Sequence, residues 1–105
     1  MGKRAAEVTR DVVIVARKVE GYCSAGIKEG DRIVIRGPNI DLEESDPVCG
    51  YAFAGIFPTV FAVRMGVNLP ELGMEGHLWQ CVDPGQPHTR GGRVLFEVIP
   101  LEEEK

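Results

Sequence analysis

The sequence predicts an α+β domain: one apolar helix packed on a small, mainly antiparallel four-stranded sheet, in the order β-β-α-β-β. Three observations predict it. Residues 45–66, SDPVCGYAFAGIFPTVFAVRMG, carry no charge between Val48 and Val63 and are bounded by helix signals. Two short runs rich in Val and Ile precede that stretch, and two β-type runs follow it. Turns containing Gly or Pro separate these segments, so a helix on one face of a sheet is the simplest packing. Closure into a small barrel is the competing solution.

The helix is bounded at both ends. Asp46 is a good N-cap, because a carboxylate accepts from the orphan amides of a first turn. Pro47 suits the first helical position, where an N–H is dispensable. Gly66 marks the stop, and Arg64 places positive charge at the negative end of the helix dipole. Phe53, Phe57, Val60 and Phe61 would supply a stripe, yet Tyr51, Ala52, Ala54, Ile56 and Val63 fill the other faces. Apolarity all round predicts burial on most sides. Pro58 removes one helical amide and predicts a kink. The run is too short, and too interrupted by Gly and Pro, for a membrane span.

Val12–Val19, with Val12–Ala16 apolar on both faces, reads as an interior strand. A small-residue loop follows at Gly21–Gly26, then the turn Lys28–Asp31. Arg32–Gly37 is a strand whose Ile33 and Ile35 alternate with Arg32, Val34 and Arg36, giving one wetter face. Pro38–Ser45 is a polar connection. After a loop at Val67–Gly76, His77–Val82 is the third strand. Asp83-Pro84-Gly85 opens a long hairpin loop, and Arg93–Leu101 is the fourth strand. The second face of such a sheet is left uncovered and partly apolar, which predicts a homo-oligomer.

Length and charge bound the function. The 105 residues form one domain, with an ordered core over about 8–101. Residues 1–36 carry eight Lys or Arg and five acids, while the remainder has a net charge of −7. That asymmetry favours contact between oppositely charged faces and gives no concentrated basic surface for nucleic acid. The acidic residues Glu102, Glu103 and Glu104 read as a solvated end. The polar, basic start has no apolar segment behind it, so the expected address is cytoplasmic, with no membrane partner.

The runs CSAGIKEGD at Cys23–Asp31, CGYAFAGIFP at Cys49–Pro58, AVRMG at Ala62–Gly66 and CVDP at Cys81–Pro84 occur in that order. Together they resemble a family of short bacterial and archaeal proteins of unassigned function. Its pattern is Cys-x-x-Gly-x-Lys-x-Gly-Asp, then Cys before an apolar helix with Pro, then Cys-Pro-Asp. The resemblance spans residues 12–99. It departs at Val82, where the pattern has proline, and in the long loop Gln86–Gly92. It implies no reaction, but it singles out Cys23, Cys49, Cys81, Lys28 and Asp31.

Three cysteines in a chain expected to be cytosolic point away from structural disulfides. Cys49 is expected at the third helical position, where free amides and the dipole stabilise a thiolate; its plain alternative is a small apolar residue starting a buried helix. One reading makes Cys23, Cys49 and Cys81 thiolate ligands for zinc or iron, with His77, His88 or Asp83 as fourth ligand. The paired C-x₂-C spacing of structural sites is missing. A second makes Cys49 a redox or nucleophilic thiol served by His77, His88 or Lys28. The third, ranked first, is a non-catalytic binding and assembly module in which the helix and the second sheet face bury themselves against partner copies, while first-turn amides near Cys49, at Gly50 and Tyr51, could hold a small molecule or anion. Lys28 and Asp31 read as a turn closed by a salt contact rather than a site.

Overall fold

The apolar run Val12–Ala16 lies inside β1 (Val12–Glu20), the central strand of the sheet. The computed structural model describes residues 9–23, 25–81 and 91–104. β1 pairs with β2 (Arg32–Arg36) on one side and β5 (Arg93–Pro100) on the other. The edges are β3 (Asn39–Asp41) and β4 (Leu78–Gln80), each of three residues. The order is β3-β2-β1-β5-β4, and every pairing is antiparallel. The fold is α+β as expected, but the sheet has five strands rather than four and is open, not closed into a barrel.

The additional strand comes from the stretch expected to be a polar connection. Gly37 and Pro38 form a two-residue loop, with Gly37 at φ +57°, which returns the chain so that Asn39 faces Arg36 and Ile40 faces Ile35. A glycine at the first central position of a two-residue hairpin loop is favoured because positive φ matches the twist of the flanking strands. The short edges at β3 and β4 present little unpaired backbone to other chains.

The sheet's two faces have different covers. Val12, Ile14, Ala16, Ile33, Ile35, Val94, Phe96 and Val98 face the helix α1 (Gly50–Arg64), whose Ala52, Ile56, Val60 and Val63 complete this core. Val13, Val15 and Val34 form a second cluster on the other face, with Ile99 and Leu101 packed against it. Val34 is therefore buried where a wetter face was expected. The acidic end is not a free solvated tail either. Leu101 begins a 3-10 turn (Leu101–Glu103) and donates its amide to Asp11. The Arg32 guanidinium grips the Glu104 carboxylate through Nε and Nη2, and Arg10 pairs with Glu103.

α1 begins later than the capping signals suggested. Asp46 does not cap it, because its carboxylate accepts the Arg32 amide at 2.9 Å, while Ser45 Oγ accepts the Val34 amide at 2.8 Å. These two residues lace the approach segment to β2. Cys49 is instead the N-cap, with no capping bond from its side chain, and its carbonyl accepts the Phe53 amide. The helix continues past Pro58. At the far end the Gly66 amide bonds to Val63 and the Val67 amide to Ala62. This paired closure needs a left-handed residue, which Gly66 supplies at φ +94°. Among the described residues no helix is long and apolar enough to cross a membrane.

Candidate functional site

The side chains of α1 divide into two halves. Ala52, Ile56, Val60 and Val63 are at most 5% exposed and point into the core. Tyr51 is 85% exposed, Phe61 53%, Phe57 50% and Met65, just past the last turn, 42%. Ala54 and Pro58 are exposed between them. At roughly 100° per residue these positions fall on one continuous face opposite the core. The expectation of burial on most sides therefore fails. Among the described residues one α-helix lies on one sheet, and a single sheet covers only one side of that helix.

The spacing of the exposed face is regular. Tyr51, Ala54, Pro58, Phe61 and Met65 follow one another at alternating intervals of three and four residues. That alternation lays these side chains along one stripe of the helix. No charge falls between Val48 and Val63 to interrupt it. The sequence predicts a helix buried on most sides, by its own sheet and, in the assembly reading, by partner copies; within the protomer Tyr51, Ala54, Phe57 and Phe61 are left exposed. The available signal was a mismatch: a helix apolar on every side, and only one layer of sheet to cover it.

The three thiols are free and half-buried. Each packs, partly buried, against the core on the α1 face of the sheet. Cys49 lines a small cavity of about 10 Å³ with Ile14, Ile27, Ile33, Ala52, Phe53, Ile56 and Phe96. These surroundings match the plain role of a small apolar residue at a helix start. Cys49 stands at the N-cap rather than the third helical position. His77 accepts the Leu69 amide through Nε2 at 3.1 Å and so closes the loop after α1. Asp83 and His88 lie outside the described residues, as does most of the long hairpin loop. Among the described residues no group of three or more His, Cys, Asp or Glu is placed to hold a metal ion.

Lys28 and Asp31 meet, but through the backbone. The Asp31 carboxylate accepts the Lys28 amide at 3.0 Å, and the Asp31 amide returns to the Lys28 carbonyl. Where a salt contact between the two charged ends was expected, the Asp31 carboxylate closes the turn on the Lys28 backbone. The turn is itself bound to β1, since Gly30 donates to the Ala16 carbonyl and Ala16 to the Asp31 carbonyl. This anchorage lies where the β1–β5 register shifts between Ala16 and Lys18. Gly50 and Tyr51 are both exposed on the first turn of α1, and a Cβ added at Gly50 would meet open space. No family model, curated protein or solved structure matches the chain.

Proposed function

We propose that this protein is a small binding and assembly module that functions as a homo-oligomer by burying exposed apolar surface against further copies of itself. The observation that carries the reading is the open apolar face of α1. Taking about 200 Å² as the surface of a full aromatic side chain, Tyr51, Phe57 and Phe61 leave roughly 380 Å² open at their measured exposures. A contiguous apolar patch of that extent matches the largest patch of a typical monomer, about 300–600 Å², which is often functional. The cysteine-centred readings draw less support. Activated thiols and metal-binding thiolates need a partnering base or a set of converging ligands, whereas these thiols pack against aliphatic side chains and His77 is engaged by Leu69.

Light scattering coupled to size exclusion tests the proposal. The expected mass is a small multiple of the 11.5 kDa chain. A mass of one chain at every concentration from micromolar to millimolar would contradict it.

A further inference from the structure

We infer that the exposed face of α1 is an isologous interface, in which α1 of one protomer lies antiparallel against α1 of its partner across a two-fold axis near Pro58. This rests on the assembly reading above and specifies its surface, its occupant and its geometry.

Three features select a second copy of α1 as the occupant. The first is charge. A two-fold interface brings a patch against itself, so any net charge on it meets its own sign; this face has none between Val48 and Val63. The second is spacing, since the alternating intervals of three and four residues lay the face along one straight stripe that a second copy of the helix can match. The third is area. With the exposed Ala54, Pro58 and Met65 added to the aromatics, the face amounts to roughly 500 Å² per protomer, so a pair buries at most about 1,000 Å², the threshold for a specific interface.

Orientation follows from the helix dipoles and from the one small residue of the face. Tyr51 at the N-terminal end and Phe61 and Met65 toward the C-terminal end are large, Phe57 and Pro58 stand at the middle, and Ala54 is small. A parallel pair would set Phe61 on Phe61 of the partner subunit and Ala54 on Ala54 of the partner subunit, with the two dipoles aligned. An antiparallel pair sets Phe61 against Ala54 of the partner subunit and opposes the two helix dipoles. Tyr51 then reaches Met65 of the partner subunit, a sulfur–aromatic contact.

A pairing experiment with full-length chains tests this. Ala54→Lys and Phe61→Glu are made separately, and each mass is followed by sedimentation across a concentration series. Both positions are exposed in the protomer, so circular dichroism and melting should show the fold retained. Each variant alone is expected to weaken self-association at least about a hundredfold, because it buries an unpaired charge. Mixed, they should form a one-to-one heterodimer, since Lys introduced at 54 then faces Glu introduced at 61 while the other half of the interface keeps Ala54 against Phe61. Variants that assemble like wild type would remove α1 from the interface and leave the assembly reading standing. Variants that weaken association but fail to rescue one another would overturn the antiparallel arrangement. A wild-type chain that is monomeric throughout would overturn both the interface and the assembly reading.

Discussion

Gly55 is where α1 comes closest to the sheet, and replacing it with alanine sets two effects against each other. Alanine is the better helix former by about 1 kcal/mol. Yet a Cβ built at Gly55 would lie 2.3 Å from Trp79 Cζ2 and 2.8 Å from Cη2. The indole has little room to retreat, because it is half-buried and its ring centroid sits 6.2 Å from that of Phe96 on the neighbouring strand. Forcing extra volume into such a contact costs about 1–3 kcal/mol. The contact outweighs the propensity, and Gly55→Ala should destabilise the fold by about 1–2 kcal/mol, lowering the melting midpoint by about 5–10 °C. Trp79→Phe removes the atoms in conflict and reverses the sign. In that background Gly55→Ala should be neutral or stabilising by up to about 1 kcal/mol. Urea unfolding of the four chains in the double-mutant cycle gives the coupling directly, expected at about 1–3 kcal/mol. If Gly55→Ala stabilises the wild-type chain, or costs the same with Phe at 79, the account of how α1 seats on β4 is wrong.

Two further outcomes follow from single contacts. A Cβ at Gly92 would lie 2.3 Å from the Glu20 carbonyl oxygen and 2.8 Å from the Tyr22 amide nitrogen, both backbone atoms without freedom to swing away. Gly92→Ala should therefore cost at least about 2 kcal/mol and raise hydrogen exchange at Val19, Glu20 and Val94, where β1 and β5 end. Acid sensitivity should trace to carboxylates held below their ordinary range: Asp41, chiefly by the hydrogen bond from Arg36, and Glu20, chiefly by the one from Lys18. Their folded values lie below their unfolded ones, so the stabilisation is complete above the unfolded carboxylate range near pH 4 and fades as pH falls through the folded values. Asp41→Asn should flatten the fall of the melting midpoint below about pH 4, and an unchanged acid profile would count against the Arg36 contact.

Some of this fold is legible in the residues themselves. Val12–Ala16 declares a strand buried on both faces because no alternation interrupts it, and it is the central strand. Val94, Phe96 and Val98 declare one inner face of β5 by period two, and Gly66 declares the end of α1. The strand β3 escaped notice because three residues give no period, and its signal lies in the two-residue loop Gly37-Pro38. The start of α1 was misplaced because a carboxylate at a good capping position can satisfy a strand amide equally well, as Asp46 does for Arg32. The candidate site was hidden by a more general ambiguity. Composition says that Tyr51, Phe57 and Phe61 avoid water, but not whether their own chain or another covers them. Only the layer count of the finished fold, one sheet under one helix, separates those cases.

The proposed interface sets the open face of α1 against its own copy. Isotope-filtered nuclear Overhauser spectroscopy on a mixture of labelled and unlabelled full-length chains observes that contact without perturbing it. Cross-peaks are expected from the Ala54 methyl group to the ring of Phe61 of the partner subunit and from the Tyr51 ring to the methyl group of Met65 of the partner subunit. Intermolecular cross-peaks confined to other surfaces, or none under conditions where the chain is dimeric, would contradict it.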